Sequence, residues 1–154
     1  MEEVRWLTEK QAKAWTAYIT AAHLVEGAVA RQLRMGAELS HTDYGLLHEL
    51  SVAPNRSLRM GEIAHRRAAP KSRISYQVDQ LVRRGLVRRE RHPEDARGLV
   101  AVLTDEGARL LAETAPGHVE TVRRHFVDLL DEDQLDALER ICTHLARSIR
   151  ARET

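Results

Sequence analysis

The 154-residue chain carries one cysteine, Cys142, so no disulfide can form within it. No apolar run approaches the ~18 residues that a membrane-spanning helix needs. The opening Met1–Arg5 has neither the basic stretch nor the apolar stretch of a secretion signal, and a cytoplasmic location is expected. No repeat, low-complexity tract or linker interrupts the chain. Also missing are a glycine-rich phosphate loop, a nucleophile elbow and any carboxylate pair tied together by spacing, so an enzyme is not expected. Aromatic residues are scarce at 4%, whereas charged residues reach 31% and Leu, Ala and Arg abound, which points to a mainly α-helical protein. With 43% hydrophobic residues the chain can bury one substantial core without a metal or a disulfide.

The net charge of +1 conceals an asymmetry. Between Arg56 and Arg97 lie 12 Lys and Arg against 5 Asp and Glu; the rest of the chain holds 12 basic and 18 acidic side chains. A basic segment in an acidic frame draws a polyanion to one face and repels it from the others, the electrostatic footprint of a nucleic-acid module. The near-zero total disfavours a nonspecific architectural DNA coat.

Periodicity organises the chain into helices. Thr8 and Gln11 have the spacing of a capping box, followed by Trp15, Ile19, Ala22, Val25, Val29 and Leu33, so a long helix is expected from about Thr8 to Met35. Ser40 or Thr42 can cap a second helix through Tyr44, Leu47 and Leu50, stopped at Ala53-Pro54-Asn55. Met60, Ile63 and Ala64 mark a short third. Pro70 suits the first position of a fourth, whose stripe Ile74, Val78, Leu81 and Val82 ends near Gly85. The period then changes: Leu86–Arg91 and Leu99–Leu103, around the turn-rich 92–98, predict a two-stranded hairpin. Thr104 caps a long helix whose apolar face runs from Leu110 to Phe126 and Leu129, with a kink expected at Pro116. Asp131 caps a last helix with Leu135, Leu138, Ile141, Cys142, Leu145 and Ile149 inside, where Cys142 is expected to pack as a small core residue.

Two short helices and a β-ribbon inside the basic segment match a winged helix-turn-helix in element order, with the fourth helix free to enter a major groove. Its outer face offers Lys71, Ser72, Arg73, Ser75, Tyr76 and Gln77, side chains able to meet phosphates or base edges. In the hairpin, Asp95 can brace Arg97, whose guanidinium can reach a minor groove, and Arg91 adds a second wing cation.

The runs Leu58–Ala64, Ser72–Leu81, Arg84–Val87, Pro93–Gly98 and Val102–Gly107 together resemble the MarR family over nearly the whole chain. The resemblance implies a mainly α winged helix-turn-helix of about six helices plus a β wing, organised as an N-terminal dimerisation helix (1–36), a DNA-binding lobe (37–104) and C-terminal dimerisation helices (105–154). It implies a homodimer on double-stranded DNA, probing successive major grooves of a palindromic operator, in which the fourth-helix residues above read bases and Arg97, steadied by Asp95, reads the minor groove. Tyr76 stands where the family usually carries a basic residue, which shifts weight onto Lys71 and Arg73. The bulky apolar stripes of the terminal helices agree with a partner subunit, the alternative being an intrachain bundle.

Many members of that family are repressors that release DNA when a small lipophilic or aromatic effector enters a cleft between the dimerisation helices and the lobe. Trp15, Tyr18, His23, Tyr44 and His48 are the candidates to line such a cleft. The closest histidine spacings, His118 with His125 and His41 with His48, lack the offset and neighbours of a zinc site, so no metal or other cofactor is expected. The family's peroxide sensors use a first-helix cysteine, which this chain lacks. The competing expectation is a small-molecule or protein-interaction module with the same fold and no specific DNA binding.

Overall fold

The computed structural model describes residues 4–152, apart from the side chains of Ala96 and Arg97. Six helices, α1 (Glu9–Ala37), α2 (His41–Val52), α3 (Met60–Arg66), α4 (Lys71–Arg83), α5 (Asp105–His125) and α6 (Glu132–Arg152), accompany three strands, β1 (Ser57–Arg59), β2 (Val87–His92) and β3 (Asp95–Leu103). Local chemistry sets the helix starts. Thr8 and Gln11 form the expected capping box, Ser40 and Asp43 form another, and Asp131 and Gln134 satisfy each other's backbone N–H at the start of α6.

One buried cluster holds the middle of the chain together. Val29, Leu33 and Ala37 of α1 meet Tyr44, Leu46, Leu47 and Leu50 of α2, Ile63 of α3, Ile74, Val78 and Leu81 of α4, and Leu111 of α5. Two turns lock this cluster. Arg84 donates to the terminal carbonyls of α1, Ala37 O at 3.0 Å and Glu38 O at 2.8 Å, satisfying acceptors the helix end leaves open. Gly85, at φ 72°, reverses the chain after α4, and a Cβ on Gly107 would stand 2.2 Å from the Leu86 carbonyl oxygen, so α5 starts against the backbone of that turn.

The structure corrects several expectations. The hairpin is part of a three-stranded antiparallel sheet ordered β1-β3-β2, with Ser57, Leu58 and Arg59 opposite Val102, Ala101 and Val100. A three-residue strand is too short to display an alternation, which is why it is silent in the sequence. Pro70 is the cap residue before α4 rather than its first residue, and its carbonyl accepts from Arg73 and Ile74 N–H. α5, which contains Pro116, stops at His125, short of the expected Phe126 and Leu129; Phe126 leaves helical geometry at φ −146°, ψ −68°, and a single turn over Val127–Leu129 follows. Within this chain α6 contains no buried residue: Ile141 is 57% exposed, Ile149 53%, and Cys142 is exposed rather than in the core. Its stripe has the right period, with Leu135 and Leu138 half-buried, but among the described residues no element covers Ile141, Leu145 and Ile149.

Candidate nucleic-acid interface

The α3–α4 reversal runs through Ala68, held at φ 46° while Ala69 N–H donates to Ala64 O at 3.0 Å. It sets α4 across the lobe with Ile74, Val78 and Leu81 buried beneath it. At roughly 100° per residue the opposite meridian carries Ser72, Tyr76 and Arg83, with Arg73 beside them. All four are exposed, Tyr76 by 67%. Arg83 is absent from the sequence-based candidates, although its spacing of eleven residues from Ser72, about three turns, is the signal that finds it.

Two of the expected reading residues are engaged inside the lobe. The Ser75 hydroxyl and carbonyl both accept from Arg89 Nη2 at 2.9 Å, and Arg89 also pairs with Asp79 at 3.1 Å, which ties α4 to β2. Gln77 Nε2 donates to Asp43 Oδ1 at 3.0 Å, which ties α4 to the first turn of α2. Ser72, Arg73 and Tyr76 remain on the open face, and Lys71 is exposed at the first position of the helix.

Beyond Val100 the sheet loses β1, and β2 and β3 continue as a two-stranded wing. Its register pairs Arg91 with Leu99 but His92 with Asp95, so Ala96, Arg97 and Gly98 form a bulge in β3. Asp95 Oδ2 accepts from Arg59 Nη1 at 3.0 Å, a partner 36 residues away that the sequence reading did not identify. The expected bond from Asp95 to Arg97 lies outside the described residues.

Ion pairing sorts the cations of the basic segment. Arg56 pairs with Asp105, Arg59 with Asp95, Arg66 with Glu62, Arg67 with Glu49, Arg88 with Glu90 and Arg89 with Asp79. Arg84 is spent on the α1 carbonyls. Among the described Lys and Arg side chains of this segment other than Arg84, those without an ion pair are Lys71, Arg73, Arg83 and Arg91, all exposed on α4 or β2. The unneutralised positive charge therefore gathers on the helix face and the wing.

The five candidate effector residues do not converge. Trp15 and Tyr18 sit on the exposed side of α1 with ring centroids 6.2 Å apart, and His23 and His48 are exposed. Tyr44 is buried against His118 at 4.3 Å, and burial raises its phenol pKa above the usual 10. An apolar groove of about 800 Å³ does run between α1 and α6, bordered by Tyr18, Val25, Phe126, Leu138, Ile141 and Cys142. Among the described residues no group of three or more His, Cys, Asp or Glu side chains is placed to hold a metal ion, and no helix is long and apolar enough to cross a membrane.

Residues 38–98, which span α2 to the wing, match the model of the MarR family. The whole architecture superposes on Sco3205, a MarR family transcriptional regulator from Streptomyces coelicolor solved in complex with DNA. The TM-score is 0.91 at 43% identity, over 96% of this chain and 92% of that one. This chain belongs to the MarR family of transcriptional regulators. AbsC, another MarR family regulator from Streptomyces coelicolor, superposes with a TM-score of 0.92 at 35% identity, over 96% of this chain and 99% of its own. The transcriptional repressor YetL of Bacillus subtilis is 32% identical over 99 residues, 64% of this MarR chain and 59% of the repressor's length.

Proposed function

We propose that this MarR chain is a sequence-specific repressor that binds a palindromic duplex operator as a homodimer and responds to a small lipophilic or aromatic effector. The observation that carries the reading is the sorting of charge: the lobe's other described cations are tied internally, while Lys71, Arg73, Arg83 and Arg91 face outward from α4 and β2. In this reading Lys71 and Arg73 meet phosphates beside the N-terminus of α4, where the helix dipole adds to the attraction. Ser72 and Tyr76 face base edges, and Ser75 and Gln77 hold the helix at its angle. Arg91 and Arg97 serve the wing. Residues 37–104 act as the DNA-binding lobe, and 1–36 with 105–154 as the dimerisation part.

The dimer is supported by the exposed Ile141, Leu145 and Ile149 of α6 together with exposed Trp15, Tyr18 and Leu24 of α1, bulky apolar side chains of the kind that protein–protein contacts cover. A second copy of the chain is the occupant that closes the α1/α6 groove. Any part of the groove left open between the subunits, with Tyr18 on its wall, offers the effector an apolar site joined to the dimer geometry.

The test is selection from randomised duplex DNA with purified full-length protein at two salt concentrations. Enrichment of an inverted repeat with half-sites about one helical turn apart is the expected result. Binding that is weak, strongly salt-dependent and blind to sequence would replace this reading with a module that keeps the fold but takes a small molecule or a protein instead.

A further inference from the structure

The wing tip is a bulge on a two-stranded ribbon, and such a ribbon is at best marginally stable by itself. β1 supports β3 only as far as Arg59 opposite Val100, and the ladder ends there. The Arg59 side chain continues where the strand stops. Its Nη1 donates to Asp95 Oδ2 at 3.0 Å, and its Nη2 lies 3.3 Å from His92 Nδ1. Arginine has no acceptor, and the Glu94 N–H also donates to the same Nδ1 at 3.2 Å, so the imidazole accepts there and carries its proton on Nε2. The guanidinium thus grips the last residue of β2 and the first of β3, the two sides of the turn. Gly98 completes the arrangement: a Cβ there would come within 2.9 Å of Asp95 Oδ2 and 3.2 Å of His92 Cβ.

We infer that Arg59 is a positioning residue of the wing, clamping His92 and Asp95 so that the bulge carrying Ala96, Arg97 and Gly98 is presented in one orientation to the DNA. Arg59 also immediately precedes α3, so the clamp couples wing posture to the helix-turn-helix. The pair is about half exposed, with side chains 47% and 42% accessible, too open to matter much for folding stability. Its consequence is orientation. The inference rests on the DNA-binding reading above.

The test is a double-mutant cycle on the full-length dimer with the duplex selected for the wild type, with thermal melting in parallel. Arg59→Met is expected to weaken specific binding roughly fivefold to tenfold, in the range of one lost groove contact, with little change in Tm. In an Arg97→Ala background the same substitution is expected to cost less than about twofold, because the residue it positions is already gone. Arg59→Lys, which can keep the bond to Asp95 but not the two-pronged grip, is expected to fall between. Should Arg59→Met fail to fold, His92→Phe with Asp95→Asn breaks the clamp from the wing side, and the same non-additivity is expected. Losses that simply add to that of Arg97→Ala would make Arg59 a direct phosphate contact and overturn the inference, as would unchanged affinity. A wild type that shows no sequence preference would instead defeat the DNA-binding reading itself.

Discussion

The middle of the chain and its two ends contain similar proportions of apolar residues arranged with similar regularity, yet they use them differently. In the lobe, Leu39, Leu46, Leu47, Leu50 and Ile63 are fully buried, and Arg84 and Gly107 fasten the neighbouring α1 and α5 to the turn after α4. In α6, Ile141, Leu145 and Ile149 repeat with equal regularity but stand about half exposed, and the first turns of α1 show Trp15 and Tyr18 in the same condition. The lobe is a finished core. The ends are half of one. An amphipathic period reports that a helix has something to cover and does not say which chain covers it.

The largest expected effect comes from attacking the unfinished half. Ile141→Glu with Leu145→Glu would place two charges in the α1/α6 surface at a cost of several kcal/mol if a second subunit buries it. Light scattering at micromolar concentration is expected to move from dimer to monomer, with lobe secondary structure retained; a double variant that stays dimeric would place the interface elsewhere. Within the finished core, Leu47→Ala is expected to lose about 3 kcal/mol in urea unfolding, since its 0% exposure leaves a cavity with little freedom to collapse. A loss below about 1 kcal/mol would show that the lobe is looser than its packing.

The same contrast holds among the arginines. Arg67, whose side chain is 16% exposed and bonded to Glu49 at 2.7 Å and to Thr42 O at 2.9 Å, is a structural cation. Arg67→Ala is expected to cost about 2 kcal/mol of stability, because it strands a half-buried carboxylate. Arg73→Ala, by contrast, is expected to leave unfolding unchanged and to weaken specific DNA binding by about 1 kcal/mol, read by titration against the selected duplex. If both affected stability alike, the division into tied and free cations would fail.

The smallest effect is a pH dependence at the junction of the two regions. His118 of α5 packs on Tyr44, faces His41 at 6.0 Å across to α2, and lies within the field of His48; His41 in turn is bonded to Glu26 of α1 at 2.7 Å. Burial first, then His41 and His48, hold the His118 imidazole below its ordinary 6.5. The unfolded chain therefore takes up this proton at a higher pH than the folded one. The His118 contribution is complete above 6.5, is lost as pH falls from there toward the depressed folded value, and changes no further below it. His118→Phe, which keeps an apolar ring against Tyr44, is expected to flatten the stability profile just below pH 6.5; an unchanged slope would assign it to other groups.

Much of this was legible in advance. The capping pair Thr8 and Gln11, the buried stripe of α4 and the period change at Leu86 are interactions between residues a few positions apart, and a linear sequence displays them directly. The strand Ser57–Arg59 was not legible, because its partner lies some forty residues on and its length is too short for a pattern. The outward Ser72, Arg73 and Tyr76 could be read from helical period, whereas Lys71 shares the meridian of Ile74 and Val78 and is exposed because it opens the helix; the retention of Ser75 by Arg89 and Gln77 by Asp43 could not be read at all.

The sequence by itself determined the order of the helices, the caps of α1, α2, α5 and α6, the basic segment and the family, since each depends on local spacing or on the serial order of motifs. Only the tertiary structure decided which cations of that segment remain free and where Asp95 turns. It also decided that Ile141, Leu145 and Ile149 of α6 find no cover among the described residues. Those outcomes depend on pairs such as Arg67 with Glu49, Arg59 with Asp95 and Arg56 with Asp105, separated by 18, 36 and 49 residues. Packing alone brings such groups within bonding distance, and a carboxylate so placed offsets the charge of an arginine that DNA would otherwise meet unpaired.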